Sequence, residues 1–290
     1  SICWATVSAV CFTAMFIYME KRQYSPYFLM DIFKLSSIRM GILLFLLLMI
    51  FNSSAMFVNV FTGVGMKIDN WQNASLGNWT MLGYFIGCII AVMLGSRGVH
   101  LKYLFSLGFV LIGISALFMY FEVQTSGLYE RMKYPVIIRA TGMMLLYSLT
   151  AVHANQRMPY KYLSTWICIM LTVRMVMGPG IGTALYTNVM QHRQQHYVTR
   201  FAQDRDLLNP EVAASYSQTV KGMQYQGKSE QEAEQMAAMS AKGSVQVQAT
   251  LSAVKEMSGW TFYGCMACAV FFLLFPWRKR KLEPYAATVS

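Results

Sequence analysis

The chain has 290 residues, 56% of them hydrophobic and 13% charged, with a formal net charge of +11. Soluble domains carry about 25% charged residues, so half that share excludes an ordinary soluble domain. The six cysteines form no closely spaced soluble cluster, which leaves no disulfide framework.

A helix needs roughly 20 apolar residues to cross the ~30 Å hydrocarbon core. Seven stretches qualify in chain order: 2–19, 41–63, 76–94, 103–121, 134–153, 164–189 and 259–277. The runs are continuous rather than alternating in ~10-residue segments, so they predict helices and not barrel strands. The first run has no charged region before it and no small-residue cleavage site after it, and it reads as a span, not a signal peptide. The second, "GILLFLLLMIFNSSAMFVNVFTG", carries Asn52 and Asn59, seven apart and therefore expected on one face. The third holds Gly83-x-x-x-Gly87, a spacing that permits close helix approach, with ordinary packing as its expected use. The fifth carries Arg139, Thr141, Tyr147 and Ser148. The sixth carries Thr172 and Arg174, then Gly178-Pro179-Gly180 within "RMVMGPGIGTALY", with Gly182 two residues on; there the helix is expected to break. The fourth and seventh spans have no charge and little that hydrogen-bonds strongly, and are expected to face lipid. Cys265-x-x-Cys268 lies inside the seventh, where small residues packing on one helix face are expected rather than a metal or redox site.

Lys and Arg in short loops set orientation. One set of loops holds Lys21, Arg22, Lys34, Arg39, Arg97, Lys102, Arg157, Lys161 and the tail Arg278, Lys279, Arg280 and Lys281. The opposite short loops hold Lys67, Arg131 and Lys133. The expected arrangement is a multi-pass protein of a cell (inner) membrane with its C-terminus cytoplasmic. The positive charge is then mostly topological and does not imply nucleic acid.

Residues 190–256 form one long polar loop, expected on the outer side. Asn209-Pro210-Glu211 has the order of a helix start, and Ser229 followed by Glu232 fits a capping box. A helical hairpin running into the last span is predicted there, with a role either as a solvated loop or as a docking element. His192 and His196 are four apart without a third ligand nearby, so no metal or cofactor is expected. H-E-x-x-H, G-x-S-x-G and paired intramembrane acids are all missing from the sequence, which argues against an enzyme.

Polar groups at membrane depth must face protein or water, so their placement maps a bundle interior. With the first span set aside, the first, fourth and fifth of the remaining six are polar and the third and sixth apolar. That order resembles one half of a major facilitator transporter. "SPYFLMDIFK", "IIRATG" with Arg139 and Gly142, "GPGIG", and the long loop before the last span resemble the carboxyl-terminal half of fourteen-span drug:proton antiporters of the EmrB/QacA type. "GSRGVHLKYL" keeps Arg97 and Lys102 of the superfamily's cytoplasmic loop but has Gly95 or Ser96 where an acid is expected.

The resemblance implies an all-α membrane protein of seven helices, six of them forming one half of a major facilitator fold. It divides the chain into a central linker helix and cytoplasmic segment (1–40), five helices (41–189), the outer helical loop (190–256) and a final helix with a basic tail (257–290). It implies proton-coupled export of drug-like or amphiphilic compounds, in company with a missing N-terminal half. A membrane-fusion adaptor would dock on 190–256. The expected substrate-cavity and gating residues are Arg139, Arg174, Asn52, Asn59, Tyr147, Gly178, Pro179 and Gly182. No Asp or Glu lies within the seven runs; Asp69, Glu122 and Glu130 stand at their outer edge. A coupling carboxylate is therefore expected on the missing half.

Overall fold

The structure, a computed structural model, describes residues 30–34, 36–124, 129–155, 162–204 and 210–274, with scattered positions between 7 and 22. Every regular element among them is helical. Six helical stretches are long and apolar enough to cross a membrane: Ile38–Gly65, Asn70–Ser96, Leu101–Glu122, Tyr129–His153, Leu163–Gln203 and Glu230–Leu274. They contain the predicted runs from 41–63 through 164–189, and the described part of 259–277. The run at 2–19 and the basic tail fall largely or wholly outside the described residues, as does Asn209.

The helices are α1 (Ser36–Asn52), α2 (Met56–Val60), α3 (Asn70–Ser96), α4 (Leu101–Glu122), α5 (Lys133–Asn155), α6 (Leu163–Thr172), α7 (Gly178–Asp204), α8 (Pro210–Tyr225) and α9 (Glu230–Leu274). A 3-10 turn at Ser53–Ala55 separates α1 from α2, and a π turn at Phe61–Gly65 follows α2. Asp69 caps α3, its side chain accepting from the Asn70 N–H at 2.8 Å. Gly98, at φ 68°, supplies the left-handed residue that turns α3 into α4.

The chain divides into two compact units. One comprises Ser1–Phe57 and Tyr147–Ala249, the other Val58–Leu146 and Thr250–Ser290. In the second unit α4 is deeply packed. Its Phe105 and Phe109 rings lie 6.0 and 5.4 Å from Phe272 of α9, the latter pair stacked. Ile112, Ala116 and Met119 are also buried. Gly113 faces Cys265, which is buried and free. The expectation that the fourth span faces lipid is corrected here: it fills the interior chiefly with aromatic and aliphatic volume, and its buried Ser115 Oγ donates to the Pro135 carbonyl at 2.7 Å. The bare helix is α3. Its Met81, Leu82, Tyr84, Phe85, Ile89, Val92 and Met93 are exposed, and its buried residues are Leu76, Gly83, Gly87 and Ala91. α9 is mixed, with Cys265, Ala269 and Phe272 inside and Tyr263, Phe271 and Leu274 outside.

In the first unit α1 packs along α6 and α7. Phe45 lies 6.3 Å from Trp166, and Phe57 meets Tyr186 edge-on at 5.2 Å. The polar hairpin also belongs to this unit as far as Ala249. α8 begins at Pro210, and Gly227 at φ 84° makes the turn into α9. The predicted capping box is present: Ser229 N–H donates to Glu232 Oε2 at 3.3 Å, and Glu232 N–H donates to Ser229 Oγ at 3.4 Å. Tyr216 Oη donates to the Glu234 carbonyl at 3.2 Å, tying α8 to α9. On α9, Ala233, Ala237, Val245 and Ala249 are buried at multiples of four residues, a seam of small side chains. At about 1.5 Å per residue, the 45 residues of α9 form a rod about 67 Å long, twice what a bilayer core requires.

Candidate functional site

The sixth span does not break at its proline. Pro179 has no N–H to give the carbonyl four residues back, and its ring crowds that carbonyl. The helix absorbs both problems one turn earlier, in a π turn at Val173–Met177 whose wider ring is closed by Gly178 N–H donating to the Val173 carbonyl. The expected break is corrected accordingly: α6, the π turn and α7 run on as one helical stretch.

This turn also sets which residues face inward. Trp166, Ile169 and Val173 are buried at helical spacing on α6, and Gly178, Gly182, Tyr186 and Met190 are buried on α7. The five-residue step from Val173 to Gly178 is the π turn itself. Gly178 lies against Met49 of α1, and Gly182 against Ser53 and the Cα of Ile50. A side chain at either position would collide with α1, so these two glycines set how closely the helices approach. Pro179 and Gly180 face away, and no atom lies within 4 Å of a Cβ built on Gly180.

Arg174 sits within the π turn, eleven residues after Leu163. That is about 17 Å along the helix, near the middle of a ~30 Å core. The side chain is exposed on the surface of the chain. Its Nη1 donates to Tyr147 Oη of α5, and its Cζ lies 4.5 Å from the centroid of the Tyr147 ring. Such a cation–π contact contributes about 0.5–1 kcal/mol in water and about 2 when desolvated. Phe45 meets the same tyrosine edge-on at 5.5 Å and fixes its ring. A guanidinium at this depth costs about 2.5–3.5 kcal/mol to insert, and Tyr147 offsets part of that without a carboxylate.

The other expected residues are distributed differently. Arg139 belongs to the second unit. It is half-buried on α5, with its Nε shielded from solvent. Near it, Thr141 Oγ1 donates to the Gly83 carbonyl of α3 at 3.1 Å, and Gly142 packs against the Gly108 carbonyl of α4. Asn52 is half-buried and Asn59 exposed. The 3-10 turn at Ser53–Ala55 lies between them. The asparagines fall in different units. Of the eight expected residues, the structure therefore brings together Arg174 with Tyr147, and Gly178 with Gly182.

Two features escaped the sequence reading. One is the π turn, whose sole trace in the sequence is a proline in an otherwise unbroken apolar run. The other is Glu256, half-buried just before the apolar end of α9, beside Lys255, whose Nζ lies 5.0 Å from the Tyr120 ring centroid. The pair Lys255-Glu256 immediately ahead of Met257 was its visible signal.

The chain matches no protein-family model and no curated protein.

Proposed function

We propose that this chain is one six-helix half of a major facilitator-type exporter that moves drug-like or amphiphilic compounds across a cell (inner) membrane in exchange for protons. One observation carries the reading. A guanidinium sits near mid-span on an exposed helix surface, held by a tyrosine from a neighbouring helix, where a purely structural bundle would place an apolar side chain. The order of polar and apolar spans and the resemblance of "IIRATG" and "GPGIG" support it. The companion half and the coupling carboxylate belong to the same proposal, since the apolar runs from 41–63 through 259–277 contain no Asp or Glu.

The test is transport by the full-length protein in proteoliposomes under an imposed pH gradient. Arg174→Ala and Arg139→Ala should each lower the rate about tenfold or more, and Arg131→Ala, at an exposed loop position, should leave it within about twofold. Equal rates in all three would overturn the reading.

The capped α8–α9 hairpin favours a second, compatible reading, in which it docks an extracytoplasmic adaptor. Deleting 205–245 should then abolish adaptor capture while membrane insertion persists; capture that survives the deletion would reject it.

A further inference from the structure

Within the apolar runs from 41–63 through 259–277, the charged side chains are Arg139 and Arg174, both positive. Arg174 is the one presented on an exposed surface. A guanidinium carries five N–H donors. Among the described residues, Tyr147 is the one hydrogen-bond partner of Arg174, so most of that fork faces outward. The same helix also exposes the apolar side chains of Leu171, Met175 and Ile181, within about a quarter-turn of Arg174. The site is thus a fixed cation set in a greasy surface. A cationic amphiphile is repelled there. An anionic head is not, because carboxylate, sulfonate and phosphate oxygens match the guanidinium fork in two parallel hydrogen bonds. Tyr147, held by Phe45, keeps the fork in place before any ligand arrives. Phospholipid headgroups lie outside the ~30 Å hydrocarbon core, whereas Arg174 is about 17 Å along its span, so a dissolved hydrophobic acid fits this depth better than a lipid headgroup.

We propose that Arg174, braced by Tyr147, binds the anionic head of a hydrophobic acid whose apolar body lies along Leu171 and Met175. As a statement of what is exported this rests on the transporter reading; as a binding site it stands without it.

The test places the full-length protein in nanodiscs of uncharged phosphatidylcholine and titrates a dansyl-labelled medium-chain carboxylic acid, read by fluorescence. The corresponding dansyl-labelled alkylammonium is the control. The acid should bind about tenfold more tightly than the ammonium. Arg174→Gln should abolish that preference. Arg174→Lys, which keeps charge but loses the fork, should retain part of it, and it shows that loss in the glutamine variant is not misfolding. Tyr147→Phe, which keeps the ring and removes the hydroxyl, should weaken the acid about threefold.

Acid binding unchanged in Arg174→Gln would overturn the proposal. So would displacement of the probe by phosphatidylglycerol added to the discs, which would assign the site to a lipid headgroup. The two readings fail separately. Arg174-dependent binding without gradient-driven movement of the acid rejects export and keeps the site. Gradient-driven export of a cationic compound, untouched by Arg174→Gln, with acid binding equally untouched, keeps export and rejects the site.

Discussion

Each unit contains a pair of glycines four residues apart, and the two pairs do different work. Gly83 and Gly87 of α3 press on the backbone of α5. A Cβ at Gly83 would lie 2.5 Å from the Ile137 carbonyl oxygen, and one at Gly87 2.6 Å from that of Thr141. Gly178 and Gly182 of α7 press chiefly on side chains of α1, Met49 and Ser53. A main-chain carbonyl inside a helix has nowhere to go, while a serine hydroxyl has other rotamers. The first seam is therefore a rigid joint at both glycines, and the second has some give at Gly182, where Ser53 Oγ is the nearest atom. The rigid seam gains an interhelical hydrogen bond from Thr141 to Gly83. The yielding one lies directly after the turn that presents Arg174.

That contrast is open to direct attack. The largest effect is expected from Gly87→Leu, which drives a branched side chain into the Thr141 carbonyl. Unfolding in detergent, followed by circular dichroism, should show a loss of about 3 kcal/mol or more, and a loss below 1 would mean that α3 is free to move off α5. Next comes Gly178→Ala. Its new methyl meets the root of Met49 and the Val173 carbonyl at 2.9 Å, so about 1–3 kcal/mol is expected. Gly182→Ala should fall below it in the same assay, because Ser53 Oγ rotates away. Thr141→Val keeps shape and removes the interhelical hydrogen bond, for an expected loss of about 0.6–1.7 kcal/mol, read as faster amide exchange along α3 and α5. Gly180→Ala should be neutral or slightly stabilising, since no atom crowds the site and alanine is the better helix former. If Gly180→Ala cost as much as Gly178→Ala, the assignment of inward and outward glycines would be wrong.

Much of this architecture was written in hydropathy. The described spans coincide with the apolar runs because crossing a membrane demands length and continuity, both of which are linear properties of a chain. The capping box at Ser229 and Glu232 was equally legible, because its partners are three residues apart. What escaped depended on neighbours far away in sequence. That α4 fills an interior and α3 lies bare follows from which helices surround each, and apolar side chains look alike on both surfaces. The pairing of Arg174 with Tyr147 spans 27 residues and two helices; no spacing announces it. Asn52 and Asn59 were placed by a periodicity rule that assumes one unbroken α-helix, and Ser53–Ala55 interrupts it. Proline was read as a breaker for the same reason. The rule describes a local clash and is silent on a helix that widens by one residue to avoid it.

The π turn at Val173–Met177 is, in effect, one surplus residue that resets the angular phase of the rod. In an uninterrupted α-helix the inward column Trp166, Ile169, Val173 would continue through Val176 or Met177, and a bulky thioether would arrive where α1 leaves room for a hydrogen atom. Deleting a single residue from that segment would restore ideal geometry locally and rotate everything beyond it by about 100°. The glycines would then miss Met49 and Ser53 altogether. An apparent irregularity is what keeps the two ends of this helix in step.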